Sequence, residues 1–413
     1  MFIDVRPLAR YRDYRFLYFG QFVSMFGSMM TYVALPYQLY HLTGSSLAVG
    51  AVGIVQLVPL LFTALVGGAF ADAVDRRKLL LMAESCLALC SLALALNAVS
   101  AHPRAWLIYV IAGIASGVNG FHRPANNAMI PRLVKREDIP AVSALNSLRS
   151  TTAQVGGPAL GGILIAVVGL PMTYFLDVLG FAISIATLAM MRPMPATGKS
   201  KPPGIASIVE GLRYAKSREE LMGTYIVDIV AMVFGMPMAL FPAVADGLGG
   251  ARAVGWLYSA PNLGAMIATL LSAWTKKVQR HGAAVIWAAG IWGVAITAFG
   301  FSKNLWLSVL LLAVAGGADM ISAIFRSTIW NGTIPDHLRG RLAGVEMVSY
   351  MSGPLLGNAE SGLVAALANT QISIVSGGIL CVIGVAACAF GLPGFWKYDY
   401  RKWAEKAQTA PLS

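Results

Sequence analysis

The sequence predicts an all-α membrane protein of twelve transmembrane helices in two pseudo-symmetric six-helix bundles, on three observations. Of 413 residues, 57% are hydrophobic and 12% charged, with a mean hydropathy of +0.67, too apolar for a soluble chain of this length. Apolar runs of about 20 residues recur along it, and in hydrocarbon a helix satisfies its own amides over such a run. One signature is written twice. Phe121, Asn127, Ile130 and Pro131 match Phe325, Asn331, Ile334 and Pro335 at a constant offset of 204 (325 against 121, 335 against 131). Downstream, Gly157-Pro158-x-x-Gly161 returns as Gly353-Pro354-x-x-Gly357 at an offset of 196 (354 against 158). Duplicated halves of membrane helices can rock about a shared site, so these observations point to transport.

In order, the spans are expected near 15–40, 47–71, 78–99, 106–130, 140–168, 172–191, 220–243, 253–274, 283–301, 305–330, 342–368 and 372–392, each by its apolar length. They group into an N-terminal bundle at 1–192, a cytoplasmic linker at 193–218, a C-terminal bundle at 219–396 and a cytoplasmic tail at 397–413. Pro193, Pro195, Pro202 and Pro203 mark the linker,. After them Ile205, Ile208, Val209, Leu212 and Tyr214 recur at helical spacing beside Arg213, Lys216 and Arg218. That is the pattern of an amphipathic helix lying on the inner surface, with a partly ordered linker as the competing reading.

The net charge of +12 would suit nucleic acid, but the positions of the basic residues argue otherwise. With the N-terminus inside, 25 of the 31 Lys and Arg fall in cytoplasmic segments; Arg104, Arg252 and Lys303 lie outside, and Arg123, Arg149 and Arg326 within helices. This is the positive-inside asymmetry of a membrane protein with both termini cytoplasmic, and nucleic acid is not an expected partner. Residues 1–15 are basic without a cleavable signal pattern, so the first helix doubles as the insertion signal,. Cys86 and Cys90, and Cys381 and Cys388, have no His or carboxylate spaced to complete a metal site, and read as small apolar residues in helix contacts,. Gly198-Lys199-Ser200 lacks the upstream glycine of an ATP-binding loop,. No cofactor is therefore expected, and energy should come from a gradient of protons or another ion.

Gly68-x-x-x-Asp72-x-x-Asp75-Arg76-Arg77, between the second and third spans, resembles the loop signature of the major facilitator superfamily, with Asp75 standing where a glycine is often found. The glycine allows close helix approach, Asp72 can pair with basic groups or a helix N-terminus, and Arg76 and Arg77 can hold the loop at anionic headgroups. The resemblance implies a cytoplasmic gate; a loop serving topology alone is the competing reading. The matching Trp274-Thr275-Lys276-Lys277 lacks the acid. Gly157-Pro158-x-x-Gly161-Gly162 resembles the superfamily's signature of exporters that exchange substrate for protons. Pro158 removes a backbone hydrogen bond and the glycines allow tight packing, so this segment and its repeat Gly353, Pro354 and Gly357 read as pliable gates. Stretches such as 34–38, 42–46, 67–72, 240–243, 254–261 and 318–328 resemble the bacterial enterobactin-exporter branch over nearly the whole chain. That branch implies a siderophore or drug exporter in the bacterial inner membrane.

Charges inside spans cost about 2.5–3.5 kcal/mol each on insertion scales, so each is a functional candidate. Asp228 and Asp319 fall near mid-span, in helices that line the central cavity of the superfamily, and are the expected proton or cation carriers. Arg326 follows Asp319 by seven residues, two turns along the same face,. Burial favours the protonated carboxyl and a guanidinium the ionised one, a competition suited to reversible proton exchange. Arg123 and Arg326 are read as charge partners or anion-facing groups, and Glu346 as a member of the same set or an inner-end gate pair. Glu84, Asp177, Glu360 and Arg149 read as interhelical partners, and His122, with no visible partner, as a packed polar residue,. Phe26, Tyr32, Phe234 and Trp330 would give the cavity an aromatic lining for a bulky amphiphile, unless they are packing.

The leading reading is a monomeric proton-coupled exporter of a siderophore-like or drug-like amphiphile, working by alternating access. An importer or facilitator of a small nutrient, lipid or metal ion on the same fold is the alternative. An intramembrane enzyme has no nucleophile, base and metal constellation behind it, and the retained gate motifs argue against a scaffold or sensor that has lost transport.

Overall fold

The computed structural model describes residues 4–194 and 213–399, and the backbone alone at 64–73, 336–337, 339–341 and 343–348. The expected amphipathic linker helix falls mostly on 195–212, outside the described residues, as does the tail beyond 399.

Among the described residues every regular element is helical. After a short α1 (Arg6–Arg10) come α2 (Arg12–Thr43), α3 (Ser46–Ala73), α4 (Arg76–Val99), α5 (Ala105–Leu133) and α6 (Ile139–Ala189). Then follow α7 (Glu219–Phe234), α8 (Phe241–Asp246), α9 (Ala251–Leu270), α10 (His281–Phe299), α11 (Leu305–Thr333), α12 (Asp336–Leu367), α13 (Thr370–Gly391) and α14 (Pro393–Trp396). Polar side chains define several starts. Asp75 caps α4 by accepting from the amides of Arg77 at 2.9 Å and Lys78 at 3.2 Å, while Asn304 and Asn369 do the same for α11 and α13,.

Two interruptions bear on the span count. α6 turns at Gly169, whose non-helical φ of 84° suits a residue without a Cβ, so it holds two helices that abut there, the fifth and sixth spans,. The seventh span, expected to be continuous over 220–243, breaks after Phe234 at Gly235 and Pro237, because proline cannot donate to the preceding turn. The freed Ala239 amide instead donates to Asn358 Oδ1 at 3.0 Å. With α6 counted twice and α7 joined to α8, the described residues form twelve membrane-length segments. By length and composition alone eight stretches among the described residues qualify, with 136–189 taken as one.

Contacts divide the chain into two compact units, Met1–Pro202 with Phe241–Ser259, and Pro203–Leu240 with Ala260–Ser413. In the first, α2 lies along α6, α3 along α5, and α4 against both α5 and α6. The α2–α6 seam is close because small residues face backbone. A Cβ at Gly161 would stand 3.0 Å from Met30 Cα, and one at Gly157 3.2 Å from the Phe26 carbonyl,. The second unit repeats the seam between α12 and α7: a Cβ at Gly353 would stand 2.8 Å from Met232 Cβ, and one at Gly357 3.1 Å from the Val233 carbonyl. Gly162 meets α9 within the first unit, where its Cβ would lie 2.7 Å from Gly255 Cα.

Candidate functional site

The second unit holds a buried charge cluster where α7 meets α11. Trp330 Nε1 donates to Thr224 Oγ1 at 2.8 Å and its ring stacks on Tyr225 at 5.7 Å. One turn further into α7 stands Asp228, and one turn back along α11 stands Arg326, so opposed directions along the two helices bring the next rung together. Arg326 Nη1 pairs directly with Asp228 Oδ1. Its Nη2 lies 3.5 Å from Asp319 Oδ1. Ser349 Oγ, from α12, approaches Asp228 Oδ2 at 3.5 Å. The seven-residue spacing of Asp319 and Arg326 thus closes into a contact, and the structure adds Asp228 from another helix.

Two carboxylates share one guanidinium. Fully ionised, the cluster carries −1, and uptake of one proton neutralises it. The side chains of Arg326 and Asp228 are each 8% exposed, but that of Asp319 is 37% exposed. Asp228 is therefore the anchored partner and Asp319 the carboxyl that reaches accessible surface. Such a cluster alternates between 0 and −1 as it takes up and gives off one proton, and Arg326 keeps the charge of the deprotonated state to a single unit.

The other expected residues distribute differently. Arg123 is exposed on α5, in the first unit. Glu346, Gly68 and Asp72 fall where side chains are not described. Trp330 is a clamp between helices. Phe26 packs near Phe22 at 5.8 Å and covers Gly156. Tyr32, 46% exposed, meets Tyr258 edge-on at 5.4 Å. The carbonyl of Phe234 faces Gly377 of α13.

The gate loop also reads differently from expectation. Arg76 is 8% exposed and its Nη1 donates to the Ala128 carbonyl at 3.0 Å. Arg77 donates through Nε to Leu188 O at 2.8 Å and through Nη2 to Ala189 O at 2.5 Å. These arginines satisfy carbonyls near the ends of α5 and α6, placing cations where the helix dipole is negative,. Loss of the Asp75 cap, tested as Asp75→Ala, should cost about 1 kcal/mol, read as a lower thermal unfolding midpoint in detergent with the transport direction unchanged.

Two polar sets in the first unit escaped sequence reasoning. His122 has a partner after all: its Nε2 lies 2.8 Å from Glu84 Oε1, which also accepts from Gln21 Nε2 at 2.5 Å. Asp177 accepts from Thr31 at 2.6 Å and Ser91 at 2.7 Å. The membrane-embedded carboxyls were visible in the sequence, but their partners were not. Among the described residues no group of three or more His, Cys, Asp or Glu could hold a metal ion. A groove of about 650 Å³ between α3 and α5 is lined by Val55, Pro59, Tyr109, Gly113 and Phe121 among others, all uncharged.

A family model described as transmembrane secretion effector matches residues 5–407. The enterobactin exporter EntS of Shigella dysenteriae serotype 1 (strain Sd197) is 26% identical over 386 residues, spanning 93% of this chain and 92% of its own. A bacterial homologue of the iron transporter ferroportin has the same fold at a TM-score of 0.71 and 14% identity, over 93% of this chain and 98% of its own. The nucleoside transporter NupG superposes at a TM-score of 0.70 and 15% identity, over 93% and 98%.

Proposed function

Because the chain belongs to the transmembrane secretion effector family, a branch of the major facilitator superfamily, we propose that it is a secondary active exporter of a siderophore-like or drug-like amphiphile. Proton exchange at Asp319 drives it by alternating access. The observation that carries the coupling is the shared guanidinium: Arg326 contacts both Asp228 and Asp319, so one proton decides whether the cluster is charged or neutral. Deprotonated Asp319 holds Arg326 between two anions; protonated Asp319 releases one of those attractions, and a bistable packing of helices can follow the change. The siderophore-like substrate class is supported by the 26% identity to an enterobactin exporter over nearly the full length.

The protein works in the bacterial inner membrane, as a monomer, with both termini cytoplasmic. The asymmetry of Lys and Arg among its loops supports that orientation,. It is a transporter and not an enzyme, and it uses an ion gradient with no bound cofactor or ATP. Its partners are the amphiphile, protons and the bilayer.

Everted vesicles from cells expressing the protein should accumulate a catecholate siderophore when energised and lose it on adding an uncoupler. Asp319→Asn is expected to reduce energised accumulation at least about tenfold, an effect of about 1.4 kcal/mol on the coupled step, while downhill exchange of preloaded substrate continues. Full energised flux in that variant would remove Asp319 from the mechanism.

A further inference from the structure

We propose that Glu84 and His122 form a second proton-exchange site, in the first bundle, loaded through His122. This extends the proton-coupled reading above but concerns residues that reading does not use.

Glu84 is fully buried on α4, whereas the side chain of His122 on α5 is 15% exposed, with Nε2 of the ring 2.8 Å from the carboxylate. Gln21 of α2 donates to the same oxygen and to Ser184 of α6 at 3.1 Å. Glu84 Oε2 is buried with no hydrogen-bond partner among the described residues. A carboxylate so enclosed, with neutral donors on one oxygen and none on the other, is costly to keep ionised, and protonation of the pair removes the cost.

The repeat supplies independent support. At the offset of 204 that aligns Phe121 with Phe325 and Pro131 with Pro335, His122 aligns with Arg326. In the second bundle that position pairs with the carboxylate of Asp228, and in the first with that of Glu84. The two bundles thus place a base at the same position of the repeat, each against a buried acid, the acid coming from α4 in the first bundle and from α7 in the second. Arginine holds its proton there, whereas an imidazole can take up a proton and pass it on.

His122 is partly accessible, 15% exposed at its side chain, and polar residues follow it along α5. Ser116, Asn119, Arg123, Asn126 and Asn127 follow one another along α5 at spacings of three, four, three and one, a polar face that a spanning helix does not turn to lipid. With neutral His122 donating Nε2–H to ionised Glu84, the pair carries −1. A proton added at Nδ1 makes the imidazolium, and transfer of the Nε2 proton to Oε1 leaves neutral imidazole and neutral carboxyl: one proton in, charge zero. The groups facing Glu84 are Gln21 from α2, His122 from α5, and Asp177 on α6, within electrostatic range of it. The described side chains of α3 include no titratable group. On α4, Arg76 and Arg77 donate to the carbonyls of Ala128, Leu188 and Ala189.

The test is a pH titration of the carboxylic-acid infrared band on the full-length protein in detergent. Wild type, Glu84→Gln, His122→Gln, Asp319→Asn and the Glu84→Gln/Asp319→Asn double variant are compared. Glu84→Gln should remove one step and Asp319→Asn a different one, with both absent from the double variant. His122→Gln should move the Glu84 step by about one pH unit or more and leave the Asp319 step in place, which a purely structural role for the histidine would not do. Should Glu84→Gln fail to fold, Glu84→Asp should shift the same step. An unchanged titration in Glu84→Gln, or an unmoved step in His122→Gln, overturns the proposal. Loss of the Glu84 step with the Asp319 step never present would refute the Asp319 reading alone.

Discussion

Arg326→Gln is expected to destabilise the protein by about 3–5 kcal/mol, the cost of leaving a buried ion pair half-made, and to abolish gradient-driven export. The variant leaves Asp228, 8% exposed at its side chain, with no cation on the rung it shares with α11. It also leaves Asp319 to repel it across the gap Arg326 filled. Adding Asp228→Asn should return most of the stability, because an amide in that position carries no charge to desolvate, but it should not return the flux. Unfolding midpoints in detergent report the first effect and energised accumulation in everted vesicles the second. A wild-type midpoint in Arg326→Gln would mean the three side chains do not depend on one another, and the proton reading built on them would fall.

Gly357→Val should prevent the second bundle from assembling. Its Cβ would stand 3.0 Å from Met236 Cβ and 3.1 Å from the Val233 carbonyl, and would press on the Met232 carbonyl as well. Overpacking a core ordinarily costs about 1–3 kcal/mol, and here the obstacle is helix backbone, which cannot rotate aside. Gly161→Val should act in the same way on the first bundle through Met30. The control is Gly290→Val in α10, where nothing lies within 4 Å of an added Cβ. Size-exclusion profiles of the detergent-extracted variants should show a monodisperse peak for the control and aggregated or absent protein for the other two. Monodisperse Gly357→Val at wild-type yield would contradict the close α7–α12 seam.

Much of this molecule was legible in its residues. Spans follow from apolar length, because the bilayer leaves a segment one way to satisfy its amides, and ends predicted for α4, α5 and α13 agree with the structure to within three residues. The contact between Asp319 and Arg326 was legible because a spacing of seven on a helix is a distance. Less legible was the break at Gly235 and Pro237. An apolar run hides it, and what makes it tolerable is Asn358, far away in the chain. His122 read as unpartnered for the same reason: Glu84 is 38 residues earlier, on another helix. Nor could the residues show that the Trp330 indole N–H would go to Thr224, on another helix.

What the residues determined alone is therefore local or periodic: helical spans, their caps, the doubled plan, and which charges sit at membrane depth at a cost that demands partners. Tertiary structure alone decided which partner each charge received. Arg326 is shared by two acids, His122 was given to Glu84, and Arg77 was given the carbonyls that end α6. The reason is geometric. A helix fixes which side chains share a face, but the rotation and depth at which it meets its neighbours depend on packing along whole seams of small residues, and hydrogen bonds a few ångströms long are made or lost by that choice.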